Sequence, residues 1–219
     1  MDLYLLSFLS IIIVLCVNFL RKSRYEFSGS QIVLISLLEI FFGVLGTMLL
    51  YYIENGEWGG TSFFGAVLFL PLSFVPVSIF VTFSYQRCMD YIAPSGLAMF
   101  IINKLNCYIA GCCEGKNIGF SFDGKPIYFP SQITEMVSTA FIILLLLILE
   151  KRRNYQGIIY PLGMVIYGIV RFILNIFREE WITTNMFMPF GNIWALVTII
   201  LGGSWLVFNH TKKKKKILK

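Results

Sequence analysis

Seven runs of mostly apolar residues follow one another along the chain, at Leu3–Leu20, Gln31–Ile53, Phe63–Phe83, Tyr91–Ala110, Gln132–Leu149, Ile158–Phe177 and Phe187–Phe208. Each is close to the roughly 20 residues that an α-helix needs to cross a bilayer. The pattern therefore predicts an all-α fold: a polytopic bundle of about seven transmembrane helices in a single integral membrane domain over residues 1–219. The fourth run holds Pro94, Gly96, Asn103, Lys104 and Asn106 and is read as bent or partly re-entrant. The connection Gly111–Pro130 is rich in glycine and proline and is expected to be irregular. Met1-Asp2 opens the chain without a basic stretch, and no small-x-small cleavage site follows, so the first run is read as an uncleaved helix. Gly43 and Gly46, like Gly202 and Gly203, are expected at close helix contacts.

Charge placement orients these runs. With the N-terminus outside, the inner ends receive Arg21, Lys22 and Arg24, then Arg87, then Lys151, Arg152 and Arg153, and finally Lys212 to Lys216 and Lys219. The outer loops hold Glu54, Glu57, Glu179 and Glu180 instead. This asymmetry predicts an N-out, C-in arrangement. Trp58 and Trp181 then fall at the membrane interfaces, as an aromatic belt requires.

Composition supports the membrane class, with 57% hydrophobic and 14% charged residues; soluble domains carry about 25% charged residues. The net charge of +6 is concentrated in the terminal lysine run, which suits acidic lipid headgroups, so nucleic acid is not expected as a partner. Cys16, Cys88, Cys107, Cys112 and Cys113 show no zinc spacing, and the one histidine, His210, sits by the lysine tail. Neither a metal nor a cofactor is expected.

Ionisable side chains inside a bilayer cost several kcal/mol, so each one calls for a reason. Lys104 lies roughly 10 Å below the outer surface by helical rise, Glu135 about one turn into the fifth run, and Arg178 at the outer end of the sixth. Arg171, Asn175 and Arg178 are spaced to share one helix face. Three cations and one carboxylate thus meet at one level of the outer half, a pocket suited to a lipid phosphate. A plainer arrangement would pair Glu135 with Arg171 and let Lys104 and Arg178 snorkel to the interface. Glu39 has no basic residue at its depth and is expected to be structural or protonated.

Four segments, in order, resemble the prolipoprotein diacylglyceryl transferase family. Gly59-Gly60-Thr61-Ser62-Phe63-Phe64-Gly65 is similar to its Gly-Gly-x-Ser-Phe-His-Gly segment. The run from Asn103 through Gly111-Cys112-Cys113-Glu114-Gly115 resembles its Gly-Arg-x-Gly-Asn-Phe region, and more closely a divergent Gly-Cys-Cys-x-Gly branch. Pro130-Ser131-Gln132-Ile133-Thr134-Glu135 matches Pro-Ser-Gln-x-x-Glu. Tyr167-Gly168-Ile169-Val170-Arg171-Phe172, followed by Asn175 and Arg178-Glu179, matches Tyr-Gly-x-x-Arg-Phe-x-x-Glu-x-x-Arg-Glu. The resemblance implies a multi-pass protein of the bacterial cell membrane with its active side facing outward. It also implies transfer of diacylglycerol from phosphatidylglycerol, or another anionic phospholipid, to a cysteine thiol of a lipoprotein precursor.

Under this reading Arg171 and Arg178 hold the phosphate, with Lys104 as a third donor, and Glu135 orients Arg171 or takes a proton. Gln132, Asn175, Asn106 and Ser62 would contact substrate, and Gly111 and Gly115 would let the backbone approach the headgroup. Cys112 or Cys113 is a further candidate, as a nucleophile activated by nearby cations. The departures are Phe64 and Phe129 in place of histidines, Lys104 for an arginine, Cys107 for an asparagine and Asn175 for a glutamate. They remove acid–base groups while keeping most of the cations. Two other functions follow from the residues: a non-catalytic lipid- or peptide-binding relative, or a small permease, against which the chain shows no internal repeat.

Overall fold

The computed structural model describes residues 3–80, 84–113, 115–122, 125–152, 157–178 and 188–217. Expectations resting on Glu114, Arg153, Glu179, Glu180, Trp181 or Lys219 lie outside the described residues. The chain is mostly helical, in the order α1 (Leu3–Leu20), α2 (Lys22–Tyr25), α3 (Gly29–Asn55), α4 (Phe63–Phe80), α5 (Tyr85–Ile109), β1 (Asn117–Phe122), β2 (Lys125–Tyr128), α6 (Ser131–Glu150), α7 (Ile159–Asn175) and α8 (Phe190–Ile217). Three helices are long and apolar enough to cross a membrane, Gly29–Asn55, Ser131–Glu150 and Phe190–Lys212, and shorter apolar helices accompany them. Large side chains such as Phe41, Phe141 and Ile200 are more than 60% exposed on the outer surface of the bundle, as lipid-facing residues are.

Local chemistry sets the helix ends. Ser28 Oγ accepts from the Gln31 amide while Gln31 Oε1 accepts from the Ser28 amide, a reciprocal cap that starts α3. Gly56, at φ +75°, ends it. The prolines inside α4 and α5 free carbonyls that other helices then satisfy. Pro71 cannot donate to Val67, and the Tyr160 hydroxyl donates to that carbonyl instead, at 2.9 Å. Pro94 likewise cannot donate to Asp90, and Arg21 Nη2 does so at 3.1 Å. With its freed carbonyl satisfied, α5 continues as one helix from Tyr85 to Ile109.

Helix contacts follow from side-chain size. A Cβ on Gly65 would sit 2.0 Å from the Gly46 carbonyl, so α3 and α4 touch backbone to backbone there. Gly202 meets Pro161 and Met164 of α7 in a similar way, whereas Gly43 and Gly203 face open space. The packing of α7 on α8, α3 on α4, and α5 on α6 and α1 completes the bundle.

Two polar clusters mark opposite ends. At one, Arg21 is buried and pairs with Glu150 at 2.6 Å, also reaching the Tyr91 carbonyl. The Asp90 carboxylate there accepts from the amides of Gly157 and Tyr160, and Asn209 donates to the Gly157 carbonyl. Arg21 is therefore an interior clamp rather than a solvated basic residue. The other end carries the hairpin β1–β2, an antiparallel pair pairing Phe122 with Lys125 and Asn117 with Tyr128. This hairpin corrects the expectation of an irregular connection; Ile118, Phe120 and Phe122 alternate at the strand period, and all three are exposed.

Candidate functional site

At the hairpin end, α5, α6 and α7 bring four ionic side chains together. Glu135 is 2% exposed and lies on the first turns of α6, facing the bundle interior. Its Oε2 is 2.7 Å from Lys104 Nζ of α5. Its Oε1 pairs with Arg171 Nη1 of α7 and stands 3.9 Å from Arg178 Nη1. The side chains of all three cations are about one-tenth exposed. The sequence places these four residues at one level, and the structure brings the three cations onto the one carboxylate. Lys104 and Arg178 do not snorkel away. One detail differs: α7 ends at Asn175, so Arg178 leaves the helix axis on a tighter turn, its amide donating to the Asn175 carbonyl at 3.1 Å. It still reaches Glu135, because its backbone pairs with Gly115 in an isolated bridge.

Aromatic rings back the cations. The Arg171 guanidinium lies 5.9 Å from the centroid of Phe64, and Lys104 Nζ 5.5 Å from that of Phe100. These are cation–π distances. Tyr167 packs edge-on against Phe63, Phe64 and Phe100, and its buried hydroxyl has no hydrogen-bond partner among the described residues.

Below this cluster lies a cavity of about 340 Å³. Asn103, Asn106, Phe100 and Tyr167 are in its wall, and it continues past Val44 and Leu70 to Glu39. The four ionic side chains are not in that wall. Asn103 and Asn106 are within a turn of Lys104 on the same helix, and Tyr167 is one turn before Arg171. Glu39 accepts hydrogen bonds from Ser95 at 2.7 Å and Asn18 at 3.1 Å. It is a buried group with both carboxylate oxygens hydrogen-bonded.

The remaining candidates divide into chain-holding and site-facing groups. Gln132 Nε2 donates to the Cys112 carbonyl at 2.6 Å, and Ser131 Oγ to that of Cys113 at 2.5 Å. The start of α6 thus holds the turn after α5. Ser62 donates to Glu54 at 3.1 Å and accepts from Gly65, tying α3 to α4. Asn175 is buried beside Gly191. A Cβ on Gly115 would meet the Phe129 carbonyl at 2.5 Å and that of Phe177 at 2.9 Å, so chain packing already accounts for this glycine. Gly111 turns the chain at φ +66°. Phe129, where a histidine was noted in related segments, stacks on Phe177 at 5.0 Å.

Cys112 and Cys113 are exposed, and with Cys107 their sulfurs lie within 4.8 Å of one another. Cys113, in the loop beyond α5, has its thiol pKa lowered to about 5, first by hydrogen bonding from Cys107 and then by the charges of Lys104 and Arg178. Reading the cysteine spacing alone misses this grouping, because it depends on how the helix end folds back. Tyr167 was also missed as a site residue; its position one turn before Arg171 was the available signal.

Comparison with known proteins shows the family. The family model for prolipoprotein diacylglyceryl transferase matches residues 3–208. The chain is 26% identical to the phosphatidylglycerol–prolipoprotein diacylglyceryl transferase of Clostridium tetani, over 90% of this chain and 87% of that protein. It is 25% identical to such a transferase, numbered 2, of Clostridium perfringens, over 92% and 88%. It is 30% identical to that of Francisella tularensis subsp. holarctica, over 75% and 69%. With the matching segments reaching from α1 into α8, the chain belongs to the prolipoprotein diacylglyceryl transferase family.

Proposed function

We propose that this protein transfers the diacylglyceryl group of phosphatidylglycerol to the thiol of a cysteine in a lipoprotein precursor. In this reading one domain spans a bacterial membrane seven times, N-terminus outside and C-terminus inside, and works at the outward-facing end. The alternation of polar ends supports the count: the ends of α1, α6 and α8 and the starts of α5 and α7 meet around Arg21, Asp90 and Gly157.

The observation that carries the proposal is the convergence of Lys104, Arg171 and Arg178 on the single carboxylate of Glu135. Among the described residues three cations face one carboxylate in a low-dielectric setting, where a phosphate is the natural complement. Arg178 Nη1, 3.9 Å from Glu135, would add a second guanidinium to the phosphate, and Arg171 presents a planar fork suited to two of its oxygens. Glu135 keeps the cations pointed inward before substrate arrives. Asn103, Asn106 and Tyr167 line the cavity and bring polar groups suited to the glycerol oxygens, and the apolar wall below suits acyl chains.

The acceptor sulfur then attacks the glyceryl carbon that bears the phosphate ester. The carbon–oxygen bond breaks, a thioether forms, and glycerol phosphate leaves with the charge that Arg171 and Arg178 stabilise. Overall, the proton of the thiol is exchanged for the diacylglyceryl group, and the released phosphate carries it away.

The test uses purified protein, phosphatidylglycerol labelled in its acyl chains and a peptide with a lipobox cysteine. Formation of the thioether-linked lipopeptide with release of glycerol phosphate, strongly slowed by Arg171→Ala, is the expected result. Retention of phosphatidylglycerol without transfer would identify a lipid-binding relative and overturn the proposal.

A further inference from the structure

We propose that Cys107, Cys112 and Cys113 form a three-thiolate binding site for a soft, thiophilic d10 metal ion at the C-terminal end of α5. The inference is independent of the transfer reaction.

The site is built by the way the helix stops. Gly111 adopts φ +66°, and the chain closes with two bonds, from the Cys112 amide to the Cys107 carbonyl at 3.0 Å and from the Gly111 amide to that of Tyr108 at 3.2 Å. This glycine-terminated closure folds Cys112 back over Cys107. Cys113 then takes φ +63°, a left-handed conformation that a cysteine rarely adopts, and its sulfur joins the other two. Hydrogen bonds from Ser131 and Gln132 to the carbonyls of Cys113 and Cys112 hold that shape.

Distances and ligand type define the occupant. With metal–sulfur bonds of about 2.3 Å, three sulfurs around one ion stand about 3.8–4.0 Å apart, in tetrahedral or trigonal arrangement. The three sulfurs are already within 4.8 Å of one another, so small side-chain rotations suffice. Among the described residues the cluster offers sulfur ligands alone, which disfavours calcium and magnesium and favours soft ions. Cys112 and Cys113 are exposed, leaving a route of entry. Three thiolates around a monovalent or divalent ion keep negative charge, and Lys104 and Arg178 act on Cys113 with the opposite sign.

The test uses the full chain in detergent, reduced and desalted, with cadmium(II) as the probe. One cadmium per chain should bind with the ultraviolet charge-transfer absorption of cadmium–thiolate bonds. Cys107→Ser should weaken binding by roughly tenfold or more, while Cys16→Ser leaves it unchanged. Mass-spectrometric mapping of maleimide labelling in the wild type, which needs no variant, should show cadmium protecting Cys107, Cys112 and Cys113 together. Absence of the absorption band, binding indifferent to Cys107→Ser, or protection confined to other cysteines would overturn the proposal. So would discovery of a disulfide between two of the three under the reducing conditions used.

Discussion

Lys104 Nζ and Glu135 Oε2 stand 2.7 Å apart across the α5–α6 contact, both nearly sealed from solvent. A lone lysine or a lone glutamate there would be costly to bury. Together, and with Arg171 on the other carboxylate oxygen, they hold charge in place for use. Arg171→Ala should therefore lower transfer by about 10²–10³-fold, the scale of losing one preorganised charge on a departing group. Arg171→Lys should restore little, because an ammonium cannot span two phosphate oxygens. Transfer rates of the two variants at saturating phosphatidylglycerol check this. Rates for Arg171→Lys equal to the wild type would remove the planar-fork argument.

Phe64 takes part in the same cluster through its ring face rather than through a proton. It is buried and lies 5.9 Å from the Arg171 guanidinium. Phe64→Leu keeps an apolar side chain there and removes the π face, which is worth about 0.5–1 kcal/mol, or roughly two- to fivefold. The expected outcome is a fall of that size in kcat/KM with no new pH dependence. A collapse of a thousandfold would mean that the ring shapes the site in some further way.

The four ionic residues were legible in the sequence because charge inside an apolar run is conspicuous and helical rise gives its depth. The helix order was legible for the same reason. Other features depend on contacts that no pattern carries. Arg21 reads as one basic residue in a cytoplasmic group, but the carbonyl freed by Pro94 draws it inside. Arg178 continues the helical spacing of Arg171 and Asn175, yet α7 stops at Asn175, and pairing with Gly115 carries the arginine to the site. Tyr167 looks like any aromatic core residue until its buried hydroxyl is found beside a cavity.

Cys113 gives a pH prediction. Its thiol pKa lies near 5, lowered foremost by the hydrogen bond from Cys107. A lowered thiol pKa means that the thiolate persists above that value and is lost as pH falls through it. Alkylation of Cys113 in metal-free protein should thus stay fast at pH 6.5, where an ordinary thiol near 8.5 is almost wholly protonated. Cys107→Ala removes the hydrogen-bond donor, so the midpoint of the rate profile should move upward. An unchanged midpoint in that variant would assign the effect to Lys104 and Arg178 alone.

The opposite end of the bundle should behave differently from the site. Arg21 donates to Glu150 through three contacts of 2.6–3.1 Å and also to the carbonyls of Asp90 and Tyr91. Arg21→Ala takes from the Glu150 carboxylate, 4% exposed as a side chain, its nearest cation, leaving Arg24 at 3.7 Å as its ion-pair partner among the described residues, and strands the carbonyl freed by Pro94. Breaking a buried pair from one side costs about 3–5 kcal/mol. Adding Glu150→Leu removes the stranded charge and should recover part of that loss, because the two residues act as one unit. Thermal unfolding in detergent should rank the single variant below the double and the double below wild type. Transfer per folded molecule, measured well below the unfolding temperature, should stay within about twofold of wild type for both, since the clamp lies at the far end of the bundle from Glu135. Loss of transfer without loss of stability would place Arg21 in the chemistry and contradict the separation of the two ends.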